Sequence, residues 1–401
     1  MKQDNKVSVG FVVYNGENYV EDGLKCLIEQ DYENLEINIC DNGSTDRTPD
    51  IYKSFVERDS RIRVFRSQEN IGPSRNFEKA FHISNAPYFM WASCDDRRHP
   101  TFIRRCVEAL DNDPQVALAY PFTRFINNQG EGNLICKDPF DLTQESSIER
   151  YKNIIGRLGY CNSVYGIYRS SMLVNTTLFT KQSYAGDVHL ILQLLFLGKI
   201  YQVPEILYYR NMHKLLNQSG KPEEKQQNLL ERKQGYEKIA YPPGYGISMP
   251  YFEHIWRFFE IIQYASVPCS EKPELIQITR NFANSDSIVA MVSQEIDRAI
   301  QCILQNRFYE EWNPRRVQLA LTSEWQSQLR PLYMSRFLQM LEKVLMVYPN
   351  YPGVHAARAI CLSYLGRFEE AKCAAECEIR KHPEFTAAGE ILQKINSAIN
   401  S

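Results

Sequence analysis

The sequence predicts an α/β protein, a mainly parallel sheet flanked by helices, continued by an all-α C-terminal region. Three observations predict it. Strand-like and helix-like runs alternate over the first 120 residues. Polar clusters sit just after the strands, where ligands gather in open α/β sheets. Near the C-terminus, Pro349 and Pro383, Tyr351 and Phe385, and Leu345 and Ile379 share one 34-residue offset.

The strand-like runs are Val7–Val13, Leu35–Cys40, Ile62–Phe65, Tyr88–Ala92 and Val116–Tyr120. The first two are nearly continuous in apolar residues, which suits burial on both faces. Between the runs, Val20, Leu24, Leu27 and Ile28 keep helical spacing, as do Phe102, Cys106, Val107 and Leu110. A further helix is expected from Asp187, with Val188, Ile191, Leu192, Leu195 and Phe196 on one face and Gly198 as its stop. Residues 1–235 are read as the α/β domain and 236–330 as a helical extension. Residues 331–401 resemble tetratricopeptide helical repeats, with Gly366–Ala371 as the inter-helix turn and Leu332, Met334 and Phe337 at the matching places of a degenerate upstream unit.

Composition narrows the function. With 401 residues, 44% hydrophobic and 23% charged, the chain is an ordinary globular protein of two or three domains. A formal net charge of -2 gives no field that would draw it to nucleic acid. Apolar stretches such as Val7–Tyr14 and Leu190–Leu197 fall far short of the ~18–20 residues that span a bilayer. No apolar core follows the N-terminal Met1–Lys6, so a cytoplasmic location is expected, leaving room for peripheral membrane contact. Eleven cysteines without a CxxC pair are all read as reduced, core-packed side chains.

Several residues carry two readings each. Asp95-Asp96, beside the buried run Phe89–Ala92, is either a ligand pair for Mg²⁺ or Mn²⁺ or a helix cap before Pro100. Asp41, in Asp41–Asp46, opens a turn or accepts a hydrogen bond from a nucleobase, while Asp46 reads as a cap for a helix at Arg47–Glu57. Asp187 caps its helix, presents a carboxylate to a cleft, or does both.

Ser8–Asn15 (SVGFVVYN), Asp41–Thr48 (DNGSTDRT), Asn70–Asn76 (NIGPSRN) and Ala92–Asp96 (ASCDD) occur in order, and together they resemble the family 2 glycosyltransferases, which have the GT-A fold. The likeness covers about the first 215 residues. It implies inverting, metal-dependent transfer of a sugar, with Mn²⁺ or Mg²⁺, from a nucleotide-diphosphate donor, a UDP-sugar first among them. The acceptor would be a hydroxyl of a glycan, a lipid-linked molecule or a protein, as in polysaccharide biosynthesis. Val13, Tyr14, Asn15, Asp41, Arg75 and Asp95 would contact the donor, and Asp96, Asp95 and His213 the metal. Asp187 would be the catalytic base, and Arg210 could reach the diphosphate. Ser93 and Gly186 depart from the commonest family pattern, where acidic residues often stand. Those two departures favour the alternative, a non-catalytic scaffold whose C-terminal helices bind a partner or a second copy of the chain.

Overall fold

The computed structural model describes residues 5–138, 142–157, 161–179, 185–212, 249–305 and 330–399. The chain divides into two compact units, residues 1–231 with 258–279 and residues 232–257 with 280–401.

The first unit is organised by one sheet. Strand β1 (Val7–Val13) lies between β2 (Leu35–Asp41) and β4 (Tyr88–Ser93), parallel to both, and β3 (Ile62–Val64) extends the parallel half beyond β2. Every residue of β1 and β2 is buried, as expected for strands covered on both faces. The other half is mixed. Strands β5 (Arg97–Arg98), β6 (Val116–Ile126), β7 (Ile135–Cys136), β8 (Ile167–Arg169) and β9 (Lys199–Asn211) complete the order β3-β2-β1-β4-β8-β6-β9-β5, with β7 beside β6. Only β6 and β9 run parallel there. The sheet is therefore mixed, and its parallel half is the one the alternating runs predict. The run expected at Val116–Tyr120 continues to Ile126, because a register shift at Pro121 lets the ladder pass a residue without an N–H.

Helices α1 (Val20–Ile28), α2 (Thr48–Val56), α3 (Pro73–His82) and α4 (Phe102–Asn112) make the parallel crossovers. After them come α5 (Ser147–Ile154), α6 (Ser170–Leu173) and α7 (Gly186–Leu197). Gly198 stops α7 in extended backbone, and its lack of a side chain reflects crowding: a Cβ there would stand 2.5 Å from the Gln115 carbonyl oxygen. The core of this unit gathers Val9, Phe11, Leu24, Leu27, Ile37, Met90, Phe102 and Leu110.

Helices α8 (Pro250–Tyr264), α9 (Lys272–Ala283) and α10 (Asp286–Leu304) precede α11 (Arg330–Val347), α12 (Val354–Tyr364), α13 (Phe368–Lys381) and α14 (Ala387–Ile399). Between α12 and α13 the chain turns at Gly366, whose φ of 74° suits glycine. Positions 332, 334 and 337, matching a turn in the 34-residue offset, instead lie within the continuous helix α11. All eleven cysteines are free thiols, but core packing does not hold for every one of them. Cys269 and Cys373 are exposed, because Cys269 falls between helices and the inward face of α13 is taken by Ala371, Ala374 and Ala375.

In the second unit the buried carboxylate of Glu378 has a clear task. Glu378, 0% exposed, accepts the main-chain N–H groups of Gly353, His355 and Ala356 at 2.8, 2.8 and 3.1 Å. It thereby satisfies the open end of α12 and ties α13 to it. Glu378→Ala would leave three amides without an acceptor and should cost about 2–4 kcal/mol. Denaturant unfolding followed by hydrogen exchange should place that loss in α12 and α13, with β1 and β2 unaffected.

Candidate active site

Register fixes which loops meet. Val13 pairs with Asp41 and Val12 with Ser93, so the C-terminal ends of β1, β2 and β4 stand side by side. The loops beyond are knitted by main-chain to side-chain hydrogen bonds. The Asn15 amide donates to Ser44 Oγ (3.0 Å), the Thr45 amide to Asn15 Oδ1 (2.8 Å) and the Gly16 amide to Thr48 Oγ1 (2.9 Å). Asp46 accepts the amides of Thr48 and Glu17, which makes it the tie at the start of α2. The third motif closes on the second: Asn42 donates to Asn70 Oδ1, and Asn76 donates to the Cys40 carbonyl at 2.9 Å.

Asp41 ends β2 with 0% exposure. Its carboxylate accepts the Ser44 amide (2.8 Å) and the Tyr52 hydroxyl (3.1 Å) and faces Arg66 Nε at 3.3 Å. Arg66 is half exposed, so the buried acid is joined to the surface by a cation. One strand, β1, separates Asp41 from the end of β4. At two strand spacings that places the two acidic sites about 10 Å apart.

Asp95 and Asp96 leave β4 and enter β5, which pairs with the end of β9 through Arg97–Tyr209 and Arg98–Tyr208. The helix-cap reading of this pair fails, because the next helix starts at Phe102 with Thr101 before it. Ser93 Oγ donates to Asp95 Oδ1. Asp96 is 3% exposed, accepting the Tyr208 hydroxyl on Oδ2 and the Asn211 amide on Oδ1 at 2.9 Å. Burial first, then the neighbouring charge of Asp95, push its carboxyl up to about 6, although Tyr208, Arg98 and the Asn211 amide pull the other way. Arg98 is itself buried, its guanidinium over the rings of Phe102 (5.6 Å) and Tyr208 (5.2 Å).

Asp187 occupies the second residue of α7, and Ala185 stands at its N-cap position. Asp187 therefore does not stand at the N-cap position, and its Oδ1 accepts the adjoining Val188 amide at 2.9 Å, with the Cys161 thiol also bonding the carboxyl. Burial raises the carboxyl above the ordinary aspartate range, with the Val188 amide and the charge of Arg210 opposing. Arg210, on β9, donates to Asn162 Oδ1 at 2.7 Å and lies over the Tyr165 ring. The charges of both Asp96 and Asp187 act on it. Tyr165 in turn has its hydroxyl raised, first by burial and then by Asp96, Asp95 and Asp187. Tyr165 thus feels the charge of three carboxylates from two separate elements, and Arg210 that of Asp96 and Asp187.

The family model of glycosyl transferase family 2 matches residues 8–169, a span holding all four N-terminal motifs. An uncharacterized glycosyltransferase of Haemophilus influenzae is 24% identical over 246 residues, covering 59% of this chain and 73% of that protein. The glycosyltransferase GlyA of Streptococcus pneumoniae is 38% identical over 96 residues, 24% of this chain and 14% of that one. Among solved structures, S. aureus TarS 1-349 superposes with a TM-score of 0.52 at 15% identity, covering 92% of this chain and 91% of that one, a likeness of fold. Residues 8–169 make up a family 2 glycosyltransferase domain.

The residues singled out from sequence fall into two groups. Asp95, Asp96, Asp187 and Arg210 share neighbours, whereas Asp41 lies at the far end of the strand row with partners of its own. Tyr14, 46% exposed, and Asn15 form the open rim of the β1 loop, and Arg75 is exposed on the first turn of α3. Val13 belongs to the core and gives its carbonyl to the Asn42 amide, so it supports the rim without lining it. His213 lies outside the described residues. No third carboxylate, thiolate or imidazole joins Asp95 and Asp96 in a metal-sized cluster among the described residues. Tyr208, Asn211, Tyr165 and Arg66 were not legible as site residues. Each acts through a partner more than twenty residues away, and no local spacing signals that.

Tyr208→Phe tests the electrostatics. Its hydroxyl lowers the Asp96 pKa, so deleting it should move that carboxyl above about 6, read by carbon-detected NMR titration of the aspartate side chains. Apo stability should fall by about 1–3 kcal/mol, the cost of a lost hydrogen bond to a buried carboxylate.

Proposed function

We propose that this chain carries out an inverting transfer from a UDP-sugar to an acceptor hydroxyl, assisted by Mn²⁺ or Mg²⁺. The observation that carries this reading is that Asp96 is bonded by Tyr208 and the Asn211 amide on either side of Arg210, whose charge also acts on Asp187. Two acids at the end of one strand and a third at the mouth of α7 match the two demands of the chemistry. One is neutralising a departing diphosphate, and the other is removing a proton from the attacking hydroxyl.

The residues fit a hard divalent cation. Asp95 and Asp96 supply oxygen donors, and Asn211, whose amide bonds Asp96, carries a buried Oδ1 with no hydrogen-bond partner among the described residues. A cation there also relieves the cost that lifts Asp96 to about 6. When bound, the ion would supply charge stabilisation to the diphosphate as it leaves. Arg210 adds a fixed positive charge between the two acidic groups. At the other end, Asp41 frames a base pocket through Ser44, Tyr52 and Arg66, with Tyr14, Asn15 and Arg75 at its rim. The separation of about 10 Å estimated from strand spacing suits a nucleoside diphosphate laid across β1.

Asp187 is the proposed base. It must be ionised to accept the acceptor proton, and burial raises its pKa, so turnover should climb with pH through that raised value and be lost below it. Asp187→Asn should lower kcat by about 10²–10⁴-fold and abolish this acidic limb, with donor affinity held. Full activity in that variant would reassign the base.

Isothermal calorimetry of UDP with the apo protein tests the donor side. Binding should be weak in chelator and strengthen on adding Mn²⁺, and Asp95→Ala should erase the difference. Equal affinity with and without Mn²⁺ would remove the metal from the proposal. The C-terminal helices, with their tetratricopeptide-like offset, are proposed to engage the acceptor or a second copy of the chain.

A further inference from the structure

Beside the proposed base lies an aromatic surface that none of these roles uses. Phe179 packs edge-on against Phe77 (5.4 Å between centroids, 73°) and against Trp91 (5.4 Å, 75°). Trp91 is fully buried and locked, its indole N–H donating to the Phe77 carbonyl at 2.8 Å. Phe77 and Phe179 remain partly exposed. A Cβ placed on Gly186 would touch Phe179 Cδ1 at 3.5 Å, so the ring adjoins the residue immediately before Asp187.

The turn that presents Phe179 is held under constraint. Leu178 has a φ of 47°, a left-handed conformation that leucine rarely adopts. Its amide donates to Thr176 Oγ1 at 3.2 Å, and the Thr177 amide donates to Gln193 Oε1 at 2.9 Å. Gln193 belongs to α7, the helix that carries Asp187. Ring and carboxylate are therefore positioned by one element.

An acceptor at this place must offer a hydroxyl to Asp187 and an apolar face to Phe179 within a few ångströms. A pyranose does both with one rigid unit, since its axial C–H groups form a flat apolar face while its hydroxyls project from the edge. Gly186 puts no side chain against the ring, which is partly exposed. We propose that Phe179, backed by Phe77 and Trp91, is the stacking platform for a pyranose ring of the acceptor, so that the acceptor is a glycan. This rests on the assignment of Asp187 as the base.

Saturation-transfer NMR with methyl β-D-glucopyranoside, methyl β-D-galactopyranoside and methyl 2-acetamido-2-deoxy-β-D-glucopyranoside reads the site without requiring turnover. The full chain should saturate the ring C–H protons of at least one of them. Phe179→Ala should weaken that binding by about tenfold, on the scale of one aromatic contact, while Phe179→Trp retains it. Phe179→Leu keeps the bulk without the flat face and should lose binding too, with a melting curve like that of the wild type. Gly186→Leu, which grows a side chain toward the ring, should block the pyranoside. Unchanged binding in Phe179→Ala, or saturation of no pyranoside by the wild type, would overturn the platform. Calorimetry of UDP on the same samples separates the readings. Pyranoside binding without nucleotide binding would sink the donor proposal alone, and the reverse would sink the platform alone.

Discussion

Asp96 holds the site together. A carboxylate at 3% exposure is costly unless hydrogen-bond donors or a cation meet it, and here Tyr208 and the Asn211 amide do so from the last turns of β9. Those two bonds fasten the strip after β4 to a strand more than a hundred residues later in sequence. They also fix the position of Arg210, which lies between Tyr208 and Asn211 and is held at its far end by Asn162.

The electrostatics follow from that fastening. Burial and then the neighbouring charge of Asp95 push Asp96 toward the neutral form, and Tyr208, Arg98 and the Asn211 amide offset this only in part. Asp187 is raised as well, by burial, with Arg210 in opposition. The second unit uses buried carboxylates differently. Glu378 ends on three main-chain amides, and its charge is consumed in capping a helix.

The parallel half of the sheet was legible because its strands are apolar throughout and its crossover helices keep a clean period. β1 and β4 fall where the apolar runs place them, to within a residue, and β2 is longer by Asp41 alone. The mixed half was less legible: β8 and β5 are two or three residues long, and β6 passes a proline by a register shift. Among site residues, the acids were visible as types and spacings, but their alternatives as helix caps were not excluded by sequence. Only the observed helix starts at Phe102 and Gly186 remove that reading. The cysteines show the opposite failure, since an apolar neighbourhood in sequence did not make Cys373 inward-facing on its helix.

By itself the sequence determined the order of elements, the row of loops at the strand ends and the residue types offered there. Local physics suffices for these: hydrophobic period, turn-forming residues and the direction in which a right-handed crossover returns. Tertiary structure decided which of those residues meet. That Asp96 meets Tyr208 and Asn211, that Asp96 and Asp187 both act on Arg210, and that Phe179 adjoins Gly186 depend on β9 and α7 folding back toward β4. A pKa is likewise a property of that assembly, since burial and neighbouring charge are set by residues distant along the chain.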